Sequence, residues 1–211
     1  SYMPNVRLVH GVPVALPTFA EHNFRITPEQ LQKAITPKTK ALILPYPNNP
    51  TGAVMLKENL EAIAPIIKEA DIMVISDEIY SELTYSGEHS SIASIDGMKE
   101  RTIVINGFSK SFAMTGWRIG FVCTTPSIMN AVYKIHQYTI MCASTMSQAA
   151  ACEAMRYNID NNYEDIAKMR ASYDMRRRYI FNAFNKMGLK CFEPMGAFYV
   201  FPYISGKTEP T

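Results

Sequence analysis

Short apolar runs alternate with stretches of helical period along most of the chain. Five runs read as strands: Val12 to Leu16, Ala41 to Leu44, Ile72 to Ser76, Thr102 to Asn106 and Ile119 to Thr124. The first four are separated by connections of helix length or longer, the arrangement of an α/β fold with a mainly parallel sheet and flanking helices. The fifth follows the fourth too closely for a crossover helix, which leaves an antiparallel course open to it.

Helix signals lie between and after these runs. Thr27-Pro28-Glu29-Gln30 puts a hydroxyl at the N-cap, proline at the first helical position and glutamine at the third, and predicts a helix to about Ile35. Leu60, Ile63, Ala64 and Ile67 have the i, i+3, i+4, i+7 spacing of one buried helical face, with Pro65 predicting a kink or an early end. Thr125-Pro126 opens a helix through about Tyr138, and Met146 to Tyr157 reads as another. From about Asn162 to Met187 the pattern becomes one long charged helix, whose Arg176-Arg177-Arg178 triplet reads as a solvated face. Gly188 ends it as a C-cap, and Cys191 to Ile204 is aromatic and strand-like, with Pro194 and Gly196 as a turn.

Composition narrows the partners. Lys plus Arg number 21 against 19 Asp plus Glu, a net charge of +2, so no basic excess points to nucleic acid or an anionic membrane. Small molecules and proteins are the expected partners. The four cysteines show no CxxC spacing and no clustering with the four histidines, which argues against a zinc site or a disulfide framework and for a reducing compartment. No apolar stretch approaches the roughly 18 to 20 residues that span a bilayer, and the first residues lack the basic-then-apolar order of a signal peptide. A cytoplasmic protein is expected. Both ends look cut: Ser1-Tyr2-Met3-Pro4 reads as mid-loop before a strand, and Gly206 to Thr211 follows an aromatic strand with nothing to close the unit.

Four short stretches fall where a strand gives way to a loop, the edge at which open α/β sheets bind ligands. Pro47-Asn48-Asn49-Pro50-Thr51-Gly52 is a turn, or else a rigid mount for the Asn49 amide. In Ser76-Asp77-Glu78-Ile79-Tyr80, Asp77 is a helix cap, or a carboxylate that needs a cationic partner such as a protonated ring nitrogen. Lys110 in Ser109-Lys110-Ser111 is a surface lysine, or an amine that desolvation frees as a nucleophile able to form a Schiff base. Arg118 in Thr115-Gly116-Trp117-Arg118-Ile119-Gly120 is a surface ion-pair partner, or a bidentate grip for a phosphate.

Asn49-Pro50-Thr51-Gly52, Asp77 with Tyr80, and Ser109-Lys110 with Arg118 together resemble the signature set of class I/II aminotransferases, fold-type I pyridoxal-phosphate enzymes of the aspartate aminotransferase superfamily. The resemblance covers essentially the whole chain, although a full enzyme of this kind is about twice as long. It implies that residues 1–160 are part of the large cofactor-binding domain, 161–187 an interdomain helix, and 188–211 the start of a small α+β domain. It also implies pyridoxal 5'-phosphate as cofactor, held covalently by Lys110, with Asp77 at the pyridine nitrogen, Tyr80 and Asn49 at the phenolic oxygen, and Arg118 and Ser109 at the phosphate. Lys110 would be the catalytic residue, passing a proton between substrate and cofactor. An L-amino acid and a 2-oxo acid would be the substrates, and a homodimer the assembly.

Departures from the family pattern stand beside these matches. Gly107 occupies the place where many members have a phosphate-binding serine. The family's glycine-rich loop, its stacking aromatic ring and its carboxylate-gripping arginine belong to parts outside this sequence, so weak cofactor binding and no turnover are expected of this stretch alone. The same scaffold also hosts carbon–sulfur β-lyases, among which histidine is more common at the place of Tyr80. It occurs as well as an effector domain of transcriptional regulators, behind a winged helix.

Overall fold

The computed structural model describes residues 2–204 of the chain. The expectations that touch Ser1, Ser205 and Gly206 to Thr211 lie outside the described residues. Helix α1 (Tyr2–Leu8) and α2 (Pro28–Ala34) precede strand β1 (Ala41–Pro45), and α3 (Lys57–Glu69) leads to β2 (Met73–Asp77). Strand β3 (Thr102–Gly107) runs into a single turn, α4 (Phe108–Ser111), and β4 (Gly120–Cys123) follows. Three longer helices come next, α5 (Pro126–Thr139), α6 (Thr145–Asp160) and α7 (Glu164–Lys186), before an irregular segment up to residue 204.

The four strands form one sheet in the order β1-β2-β3-β4, the first three parallel and β4 antiparallel to β3. Alternation along the strands explains where the core sits. Leu42, Leu44 and Val74 are buried on one face, against Leu60, Ile63, Ala64 and Ile67 of α3 and Leu31 of α2. Each buried Leu, Ile or Val among them stabilises the fold by about 1.5 to 3 kcal/mol relative to exposure. On the opposite face Ile43 and Ile75 are half-buried and Ile105 is exposed.

Local chemistry sets several boundaries as expected. The Thr27 hydroxyl accepts from the Gln30 N–H at 3.3 Å, and the Gln30 side-chain oxygen accepts from the Thr27 N–H at 3.1 Å, so the capping box that starts α2 is complete. Gly188 adopts φ 78°, the left-handed conformation that lets its own N–H and that of Leu189 reach back to carbonyls of the last turn of α7.

Other expectations fail for identifiable reasons. Tyr2–Leu8 forms α1 and not a loop before a strand. Val12 to Leu16 forms no strand; Val12 and Val14 are exposed, and among the described residues the segment has no neighbouring strand to bond. Pro65 does not end α3 early, since the helix continues to Glu69. Pro65 and Glu61, whose carbonyl loses its partner, both lie on the exposed side, where water can satisfy the orphaned oxygen. Cys191 to Ile204 is no regular strand and makes only the isolated bridges Cys191 to Pro202 and Thr84 to Gly196.

Arg177 departs from the expected solvated face. Arg176 and Arg178 are exposed, but Arg177 is buried. Its guanidinium donates to Asp174 Oδ1 at 2.8 Å, to Glu193 Oε1 at 3.0 Å and to the Pro194 carbonyl at 2.9 Å, and it stacks 5.3 Å from the Tyr85 ring centroid. A charge can be buried here because every face of the fork has a partner. Burial tends to raise the Asp174 carboxyl, but hydrogen bonds from Arg177 and Arg178 outweigh it and hold the group below the usual carboxylate range. A lowered folded-state value stabilises the fold at neutral pH, and that contribution fades as pH falls through the carboxylate range. Asp174→Asn is therefore expected to flatten the loss of stability between roughly pH 5 and pH 2, read by chemical denaturation of variant and parent across that range.

Candidate active site

The ladder places Pro45 beside Asp77 and Asp77 beside Ile105, so the loops after β1, β2 and β3 leave from one edge of the sheet. In the first loop the two asparagines have separate tasks. Asn48 is structural: its Oδ1 accepts from the Thr51 N–H at 3.3 Å and the Thr51 hydroxyl at 2.8 Å, while its Nδ2 donates to the Pro45 carbonyl at 3.2 Å. The turn thus closed leaves Asn49 with a free amide, which donates from Nδ2 to the Tyr199 hydroxyl at 3.1 Å.

After β2, neighbouring acids also differ. Glu78 is buried and fully engaged: its Oε1 accepts from the hydroxyls of Ser76 at 2.9 Å and Ser91 at 2.6 Å, and its Oε2 lies 2.8 Å from His89 Nε2. Asp77 is half-buried, and among the described residues its oxygens meet only neutral donors, the Ile79 N–H at 3.2 Å and the Tyr2 hydroxyl at 2.6 Å. Tyr80 is buried, with its hydroxyl 2.7 Å from that of Tyr199. Burial, reinforced by the Tyr199 hydrogen bond, pushes the Tyr80 phenol well above its usual value; burial and the bonded Asp77 carboxylate do the same for Tyr2. Both phenols remain protonated donors at neutral pH.

After β3, the buried Phe108 and Ser111 anchor the turn α4, which leaves Ser109 and Lys110 half-buried at its free side. The Lys110 amine stands 5.7 Å from the Tyr80 ring centroid and 5.3 Å from that of Phe198, and no carboxylate pairs with it among the described residues. Gly107 is extended, and its lack of a side chain reflects crowding: a Cβ there would lie 2.9 Å from Gly120 Cα and 3.1 Å from the Ile119 carbonyl. The missing serine noted in the sequence has this packing cause.

Asn49, through Tyr199, and Lys110 thus meet at Tyr80, with Asp77 at the end of the strand three residues before it. Arg118 is exposed in a left-handed conformation, with its Nη1 donating to the Thr115 carbonyl at 2.9 Å, and among the described residues it shares no hydrogen bond with them. Ser109 adjoins Lys110 on the same turn. Among the described residues no group of three His, Cys, Asp or Glu side chains suits a metal.

Sequence reasoning missed Tyr2, Phe198 and Tyr199, which reach the site only through tertiary structure. The Gly52 carbonyl accepts from the N–H groups of Met195 and Gly196, both at 2.9 Å. Met195 and Ala197 also bond the backbone of Tyr85 and Leu83, and the Tyr85 hydroxyl donates to the Ala197 carbonyl. Gly196 must lack a side chain, because a Cβ would come within 2.7 Å of both Pro47 and Val54. The aromatic run after Gly196 was visible in the sequence, but no local spacing placed it against Asn49.

Solved structures of the same architecture are fold-type I aminotransferases. A mutant of the aspartate aminotransferase of Thermus thermophilus superposes with a TM-score of 0.92 at 40% identity over 97% of this chain and 53% of that one. The aromatic aminotransferase of Pyrococcus horikoshii does so with 0.90 at 46% identity over 95% of this chain and 54% of that one. The profile of aminotransferase class I and II matches residues 1–210, and the chain belongs to that family, whose members depend on pyridoxal phosphate. Its relatives include the aspartate aminotransferase of Pyrococcus abyssi, 47% identical, and aromatic-amino-acid aminotransferase 2 of Thermococcus litoralis, 46% identical; each match covers 97% of this chain and 52% of the relative. The chain spans about half the length of the curated relatives it matches.

The buried Glu78 cluster holds the loop on which Asp77 and Tyr80 sit. Glu78→Ala leaves two hydroxyls and an imidazole without their acceptor, and is expected to cost about 2 to 4 kcal/mol. Urea denaturation of the variant checks this.

Proposed function

We propose that the whole protein is an aminotransferase that moves an amino group between an L-amino acid and a 2-oxo acid, with pyridoxal 5'-phosphate held at the edge where Asn49, Asp77, Tyr80 and Lys110 meet. The observation that carries this reading is the pair of donors converging on one phenolic oxygen: Asn49 Nδ2 at 3.1 Å and Tyr80 at 2.7 Å from the Tyr199 hydroxyl, with the Lys110 amine against the Tyr80 ring. Those two groups suit the phenolic oxygen of the cofactor equally well. Asp77, whose only described partners are neutral donors, suits a protonated ring nitrogen.

Bound there, the cofactor supplies an electron sink for a carbanion at the substrate's α-carbon. The protein's part is placement and proton handling. Lys110 would supply the amine that holds the cofactor and, once the substrate's amino group has taken its place there, the base that moves the proton at the α-carbon. Asp77 keeps positive charge on the ring nitrogen, Asn49 and Tyr80 orient the ring through its oxygen, and Ser109 and Arg118 bind phosphate. For Arg118 this requires its exposed guanidinium to leave the Thr115 carbonyl. The names of the relatives favour transamination over carbon–sulfur lysis.

We assign residues 1–160 to the large domain, 161–187 to a connecting helix and 188–211 to the start of a small domain. A cytoplasmic homodimer is the assembly we propose; among the described residues no helix is long and apolar enough to cross a membrane. Turnover is placed in the whole protein, not in this stretch by itself.

The test is a screen of the full-length protein with single amino acids as donors and 2-oxoglutarate or pyruvate as acceptor. Transamination is expected, together with a visible absorbance band from added pyridoxal 5'-phosphate. Lys110→Ala should abolish the band and lower the rate by roughly 10³-fold or more. A Lys110→Ala protein that keeps both would refute the assignment.

A further inference from the structure

We infer that Tyr199 is a positioning residue that aims the Tyr80 hydroxyl at the cofactor by taking up the hydrogen bond Tyr80 would otherwise spend inside the protein. This role rests on the cofactor reading proposed above. It follows from counting protons. A phenol has one proton to donate and lone pairs to accept with. The Tyr199 oxygen already accepts from Asn49 Nδ2 at 3.1 Å, an amide nitrogen that can only donate. The Tyr80 and Tyr199 oxygens lie 2.7 Å apart, and either can donate to the other. Once the Tyr80 proton goes to the cofactor's phenolic oxygen, Tyr199 is the phenol left to donate across the 2.7 Å contact, so in the loaded protein donors run from Asn49 to Tyr199 to Tyr80. Each bond in such a chain polarises the next, so Tyr80 becomes a stronger donor than an isolated phenol.

Packing holds the two phenols side by side. The Tyr80 ring meets Phe198 edge-on at 5.4 Å and Tyr199 edge-on at 5.8 Å, and the Ala197 N–H bonds the Leu83 carbonyl at 2.9 Å. The residue that aims Tyr80 thus arrives on the segment after α7, far along the chain from β2. Tyr199 touches none of the reacting atoms in this scheme; it acts through Tyr80.

The experiment uses the full-length protein loaded with pyridoxal 5'-phosphate and follows its visible absorbance against pH. A strong donor to the phenolic oxygen stabilises negative charge there and lets the lysine-linked nitrogen release its proton more readily. Tyr199→Phe keeps the ring and removes the donor, and is expected to raise the midpoint by about half a unit or more, the size of one hydrogen bond. Replacement of Tyr199 by 3-fluorotyrosine, a more acidic phenol of nearly the same shape, is expected to move the midpoint down. In a Tyr80→Phe background neither change should shift it further. An unchanged midpoint in both Tyr199 variants, or equal shifts with and without the Tyr80 hydroxyl, overturns the relay while leaving the cofactor assignment standing. Failure of the unsubstituted protein to form any visible band overturns both.

Discussion

Parallel pairing of β1, β2 and β3 is the constraint on which the site depends, because a backbone ladder decides which residues stand abreast. Pro45, Asp77 and Ile105 occupy neighbouring rungs, so the three loops that follow begin at one level on one edge. The register is enforced by what lies beneath. A slip of one residue would turn Leu42, Leu44 and Val74 away from α3 and expose them. Side chains that never touch a ligand thereby determine where Asn49, Tyr80 and Lys110 meet.

Polar groups at that edge fall into two sets. Asn48 and Glu78 spend their hydrogen-bonding capacity inside the protein and stiffen the loops. The residues beside them, Asn49 and Asp77, keep capacity in reserve. An amide or a carboxylate with few internal partners becomes useful only when its neighbour has already satisfied the local backbone, and both loops are built on that division.

Much of this was legible locally. The apolar runs of β1, β2 and β3, the capping box at Thr27 and the buried face from Leu60 to Ile67 depend on neighbours within a few residues, and each is where its pattern puts it. The runs that misled did so through long-range effects. Val12 to Leu16 has strand composition but no strand beside it, and Arg177 looks solvated until Glu193, Pro194 and Tyr85 close around it. Tyr2 and Tyr199 carry no local signal at all, since their partners Asp77 and Asn49 lie 75 and 150 positions away. Arg118 was singled out as a phosphate ligand by its place eight residues after Lys110, and it sits exposed with its guanidinium on the Thr115 carbonyl.

The seating of Gly196 against Pro47 and Val54, with the Gly52 carbonyl capping the same turn, bears on how the Asn49-Pro50-Thr51-Gly52 motif can be used. The motif is not a portable module. Grafted onto another α/β scaffold without the distant turn, it would retain its sequence but lose its clasp, and the Asn49 amide would face water instead of a phenol. Swapping such loops among relatives should succeed only when both halves of the clasp travel together.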